Sequence, residues 1–183
     1  MISLADLLTL GRLILVPFIL FYFQRGSYSV AFILFLIAGA TDLIDGTIAR
    51  VLKRQTRFGA VLDPIADKVL MGSIFACLWF SQVIPLWFFL LVVGRDVMIM
   101  SGLAYLRWKR IVVALNPLWT SKYATLMQLG TAIFGILAFL YPGSGWIWPF
   151  SVYLNIFLYA AATLIFISGC LYVRRGIRIL KGN

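Results

Sequence analysis

The sequence predicts an all-α integral membrane protein, a single domain over residues 1–183, with six transmembrane helices and a short interfacial helix at the N-terminus. Three observations carry that prediction. The chain is 63% hydrophobic and only 12% charged, well beyond the apolar share of a water-soluble domain. Runs long enough to cross a bilayer recur along nearly its whole length. The Lys and Arg residues gather in alternate connections between those runs, as the orientation rule for membrane helices requires.

Residues 2–10 read as the interfacial helix, with Ser3 placed to cap it. A first span follows over residues 7–23, and Arg12 lies near its inner edge, where a long side chain reaches the polar boundary. The start lacks a basic region and a small-residue cleavage site, so no cleavable signal peptide is expected. Arg25-Gly26-Ser27 forms a turn into span two, residues 29–49. A basic loop with Arg50, Lys53, Arg54 and Arg57 leads to span three, residues 59–80. After the uncharged turn 81–85, span four covers 86–106 and ends in Arg107, Lys109 and Arg110. Span five covers 120–140. A Pro-Gly turn leads to span six, residues 147–173, which ends in Arg174, Arg175, Arg178 and Lys181.

Charge sets the orientation. The loops after spans two and four and the C-terminal tail hold eleven of the sixteen Lys and Arg; the loops after spans one, three and five hold Arg25 alone. Both termini are therefore expected in the cytoplasm, with Trp146 and Trp148 in an outer aromatic belt. The net charge of +10 marks contact with anionic lipid rather than nucleic acid. Cys77 and Cys170 lie in separate apolar runs and read as small packing residues. With no His in the chain, any general base is Asp, Lys, Tyr or Cys.

The acidic residues are the informative ones. The chain has six, all Asp, and four fall between residues 41 and 68: Asp42, Asp45, Asp63 and Asp67. Carboxylates at the edge of a bilayer are costly and mark function. Asp42 and Asp45 are three apart and Asp63 and Asp67 four apart, so each pair shares a helix face. A short loop joins the two helices, which makes them antiparallel neighbours and lets the pairs converge. Four like charges in one place need cations, and hard divalent ions with oxygen ligands, Mg²⁺ or Mn²⁺ and plausibly two of them, meet that need. Gly46 and Gly59 open room for a ligand beside the backbone. Arg50 offers a phosphate fork and Thr56 a hydroxyl. A lone Asp at a helix end is most often a cap, but four at paired spacing with glycines between them describe a diphosphate site.

This window resembles the signature of the CDP-alcohol phosphotransferase (CDP-alcohol phosphatidyltransferase) family, D-x2-D-G-x2-A-R-x8-G-x3-D-x3-D. Asp42, Asp45, Gly46, Ala49, Arg50, Gly59, Asp63 and Asp67 match all eight positions. The resemblance implies a homodimeric membrane enzyme that moves a phosphoalcohol group from a CDP-alcohol to a hydroxyl and releases CMP. It implies that the four Asp residues hold two metal ions, with Asp67 also the general base. Gly46, Ala49, Arg50, Thr56 and Gly59 would line the site of the CDP-lipid. The N-terminal stretch keeps Thr9 and Arg12 but has Ala5-Asp6 where the glycerolipid branch often carries Pro-Asn.

Arg95 in span four and Lys122 at the start of span five are candidates for an acceptor phosphate. Residues 94–110 and 116–129 look like the matching regions of eukaryotic-type cardiolipin synthases, which implies CDP-diacylglycerol as donor and phosphatidylglycerol as acceptor. The related phosphatidylglycerophosphate synthases share both residues and imply glycerol 3-phosphate instead. A divalent-cation transporter is the reading from another class, but the outer halves of spans two and three are almost wholly apolar, which suits a one-sided site. The expected setting is a bacterial inner membrane, with the site on the cytoplasmic face.

Overall fold

A computed structural model describes the backbone of residues 4–52, 59–109, 119–140 and 147–181; within the helices, the side chains of 4–8, 42–52, 59–63, 107, 139, 147–150 and 180–181 lie outside that description. The described chain is helical apart from its short turns: α1 (Leu4–Gln24), α2 (Tyr28–Leu52), α3 (Gly59–Phe80), α4 (Leu86–Trp108), α5 (Trp119–Leu140) and α6 (Ile147–Lys181). Among the described residues there is no separate interfacial helix of the kind expected at 2–10. From Leu4 the chain is one continuous helix, because nothing between residues 4 and 16 interrupts it; its one proline, Pro17, lies further along. Ser3 lies outside the described residues. At the other end, α6 runs eight residues past its expected stop and carries its basic cluster as helix. Arg and Lys are good helix formers and offer no break. Its 35 residues make a rod of roughly 52 Å at 1.5 Å per residue.

Two stretches are long and apolar enough to cross a membrane, Leu86–Leu106 and Ser151–Ile179, and two shorter ones, Thr9–Gln24 and Tyr28–Thr41, are similarly apolar. Only 17% and 22% of the two long windows are buried. The core helix of a water-soluble protein would be mostly covered, so these helices present their apolar faces outward, as lipid-facing helices do.

The chain divides into two compact units, residues 1–81 and 82–183. In the first, α1 packs against both α2 and α3. Its buried residues Thr9, Arg12, Val16, Ile19 and Phe23 follow a three-four spacing that keeps one stripe facing its neighbours. The α1–α2 connection is a Schellman turn. Gly26 adopts φ +76°, the Gly26 amide donates to the Phe23 carbonyl at 3.0 Å, and the Ser27 amide to the Tyr22 carbonyl at 3.0 Å. The left-handed residue closes the orphan carbonyls of α1 at little cost because it lacks a Cβ. The Ser27 carbonyl then accepts from the Val30 and Ala31 amides, both at 3.1 Å, and starts α2.

In the second unit α6 packs along α5 and against α4. The α5 positions Ala124, Gln128, Thr131 and the α6 positions Leu154, Leu158, Ala161, Ile165, Ser168 are buried and again repeat every three or four residues, forming one seam. Gly130 lies directly under the Phe157 ring. Phe134 stacks on Phe157 at 5.2 Å between centroids and on Tyr153 at 5.5 Å. These contacts fix an antiparallel register in which Ile165 is level with Ala124, and Ser168 with Ser121.

Candidate active site

The eight motif residues lie on two helices. Asp42, Asp45, Gly46, Ala49 and Arg50 fall on the last turns of α2, and Gly59, Asp63 and Asp67 on the first turns of α3. Helical backbone through both segments gives each Asp pair the common face that its spacing predicts. Gly59, Asp63 and Asp67 are spaced four apart and form one row. Thr56 lies outside the described residues, as do the side chains of Asp42, Asp45, Arg50 and Asp63. Asp67 is described, and it is half-buried beside the fully buried Ala66. Just before Asp42, the Thr41 hydroxyl donates back to the Ala38 carbonyl at 2.9 Å and the Ile37 carbonyl at 3.0 Å. It is thereby spent on its own helix.

The two helices that carry the acidic segments share α1 as a packing partner, since it packs on both α2 and α3. The edge-on pair of Phe23 and Tyr28, 5.1 Å between centroids, sets the register of the α1–α2 hairpin. Counting back from it puts Thr9 level with Asp42 and Arg12 about one turn away. Both are almost fully buried, Arg12 at 1% exposure. A buried guanidinium is costly without anions or acceptors about it, so its burial at this level suits a site built for negative charge. The motif spacing does not reveal Arg12 as part of that neighbourhood. The signal is the stripe itself, whose first two members are polar where the rest are apolar.

The second unit holds another buried polar centre. Arg95 is 7% exposed. Its Nη1 donates to the Asp96 carboxylate at 2.6 Å, and its Nη2 to the Ser121 hydroxyl. Arg95 lies within α4, and its bond to Ser121 sets it level with the first turn of α5. Trp119 and Lys122 flank that turn, residue types that anchor helices at a membrane boundary. Lys122 is exposed and rests its ammonium over the Trp119 ring, 4.8 Å from the centroid. The α5 residue bonded to Arg95 is Ser121, which the sequence does not single out.

A model of the CDP-alcohol phosphatidyltransferase family matches residues 2–168. This chain belongs to that family. The match takes in the acidic segments of α2 and α3, the α1 stripe and the Arg95 centre. Similar proteins include a cardiolipin synthase (CMP-forming) / mitochondrial hydrolase fusion protein of Schizosaccharomyces pombe, 33% identical over 95% of this chain and 30% of that protein. A probable phosphatidylglycerophosphate synthase of Mycobacterium tuberculosis is 36% identical over 98% of this chain and 84% of its own length. A CDP-diacylglycerol–glycerol-3-phosphate 3-phosphatidyltransferase of Aquifex aeolicus is 38% identical over 72% of this chain and 75% of its own. The chain thus spans less than half of the first of these relatives and most of the other two.

Proposed function

We propose that this chain is a membrane phosphatidyltransferase that moves a phosphatidyl group from CDP-diacylglycerol to a hydroxyl acceptor and releases CMP. The observation that carries the reading is the eight-position acidic motif, unbroken, on two helices that share α1 as packing partner. Relatives named for this chemistry at 33–38% identity support it. Membership of this family speaks against the cation-transporter reading.

In this reading Asp42, Asp45, Asp63 and Asp67 hold the metal; their carboxylates are the hard oxygen donors that Mg²⁺ or Mn²⁺ takes, and helical spacing presents them in pairs. Two bound ions would neutralise the pyrophosphate and stabilise CMP as it leaves. Gly46, Ala49 and Gly59 leave space for the CDP-lipid along the helices, while Arg50 and Thr56 bond its polar part. Asp67 takes the proton of the acceptor hydroxyl, whose oxygen then attacks the phosphorus that bears the lipid. The six helices all cross the membrane, with both termini and the site on the cytoplasmic side, and the enzyme works as a homodimer.

The acceptor is phosphatidylglycerol, with Arg95 and Lys122 on its phosphate, and the product is cardiolipin. The Gly-Arg-Asp-Val-Met run at residues 94–98 supports this choice. Glycerol 3-phosphate is the second reading, favoured by the names of the mycobacterial and Aquifex relatives. Purified protein given labelled CDP-diacylglycerol and Mg²⁺, then offered phosphatidylglycerol, glycerol 3-phosphate, inositol phosphate or serine, identifies the acceptor by its lipid product. Asp63→Ala and Asp67→Ala are expected to abolish CMP release while the protein still inserts. Wild-type rates in both variants would refute the site.

A further inference from the structure

Most of the helix hydroxyls described serve their own backbone. Those of Thr41, Ser73, Ser101, Thr125, Thr131 and Thr163 each donate to a carbonyl three or four residues back, which spends the group within its helix. Ser121 differs. In the first turn of α5, its hydroxyl accepts from Arg95 Nη2 on α4. Arg95 Nη1 is held by the Asp96 carboxylate at 2.6 Å. Successive side chains diverge on a helix, so Asp96 draws the guanidinium to one side. One such bond leaves a planar group free to swivel about it; the second, from another helix, fixes the plane. α4 and α5 each pack on α6, and the Arg95 side chain spans from one to the other. With both terminal nitrogens engaged, Arg95 Nε is left buried without a partner among the described residues. A buried N–H of a charged group is costly unless something bonds it, so this one marks where a ligand oxygen belongs.

We propose that Ser121 is a positioning residue for the transfer reaction. It acts through Arg95: its hydroxyl, with the Asp96 carboxylate, sets the plane of the guanidinium and leaves the Nε–H as the edge offered to substrate. The role of Arg95 rests on the phosphatidyl-transfer reading above; the role of Ser121 is new. Lys122, next in the chain, rests on the Trp119 ring, so the α5 side chain that engages Arg95 is Ser121. A polar side chain held by partners on two helices keeps its geometry better than one held by its own helix alone.

The test compares wild type, Ser121→Ala and Ser121→Thr in CMP release from CDP-diacylglycerol, with phosphatidylglycerol and glycerol 3-phosphate varied in turn. Ser121→Ala is expected to raise the KM of the acceptor about tenfold and to leave that of CDP-diacylglycerol unchanged. Ser121→Thr keeps the hydroxyl and is expected to restore the acceptor KM. A merely structural role would reduce the active fraction, and with it kcat, while both KM values stayed put. Because Ser121 acts through Arg95, Ser121→Ala is expected to add no further loss in an Arg95→Lys background. An unmoved acceptor KM, an equal rise in both KM values, no rescue by Thr, or a full additional loss beside Arg95→Lys overturns the proposal. A second measurement needs no turnover. In nitrogen-15 spectra of arginine-labelled protein in nanodiscs, without donor, the Arg95 Nε–H signal is identified by its absence in Arg95→Lys. Added glycerol 3-phosphate, or a rising phosphatidylglycerol fraction, is expected to shift it, and Ser121→Ala to require about ten times more. No shift with either compound, or the same midpoint in Ser121→Ala, overturns the role of Ser121. The shift without any CMP release would count against the transferase reading and leave Ser121 as the residue that aims Arg95.

Discussion

At the scale of single residues, burial of charge decides most. Arg95 and Asp96 form an ion pair whose side chains are 6% and 13% exposed. Water barely screens it, and removing one partner leaves the other charge stranded. Asp96→Ala is expected to lower the stability of the detergent-solubilised protein by about 3 kcal/mol, read as a fall in melting temperature. A change no larger than that of an exposed control would mean that Ser121 alone satisfies the guanidinium. Arg95 was visible in the sequence as a charge in an apolar run. Its level, set by Ser121, was not, because a hydrogen bond between α4 and α5 leaves no trace in spacing. Arg12 was equally visible as a residue, but its full burial comes from the stripe of α1 facing two neighbours.

At the scale of elements, close packing and left-handed turns are the constraints. Gly26 sits at φ +76°, and Gly26→Ala is expected to cost about 1 kcal/mol, with Gly26→Asn milder because Asn tolerates that conformation. Thermal melts of the two variants measure the order. Gly130 faces the Phe157 ring with no room for a Cβ. Gly130→Ala should therefore displace Phe157 and loosen the α5–α6 seam by about 1–3 kcal/mol; an unchanged melt would show that the ring swings aside freely. The helices themselves were readable from apolar runs to within a few residues. The two errors lie at their ends, at the N-terminus of α1 and the C-terminus of α6. Polar residues that mark the edge of a bilayer do not stop a helix, whose backbone is satisfied within itself.

At the scale of the whole molecule, the proposed reaction asks two acidic helix segments to meet one nucleotide-linked lipid. Chelation with EDTA is expected to abolish CMP release, and Mg²⁺ or Mn²⁺ to restore it. Retained activity in EDTA would remove the reason for four carboxylates at this spacing. The sequence by itself determined the helical class, the order of the elements, the family and the acidic motif. Each of these rests on composition or on short-range periodicity, which survive in one dimension. Only the tertiary structure decided that α1 is the packing partner common to both acidic helices. It alone set Arg95 level with the start of α5, through its bond to Ser121, and buried Arg12 in the α1 stripe. Those features depend on side chains far apart in the chain meeting across helix interfaces, and the register of such interfaces is fixed by packing, not by spacing along the chain.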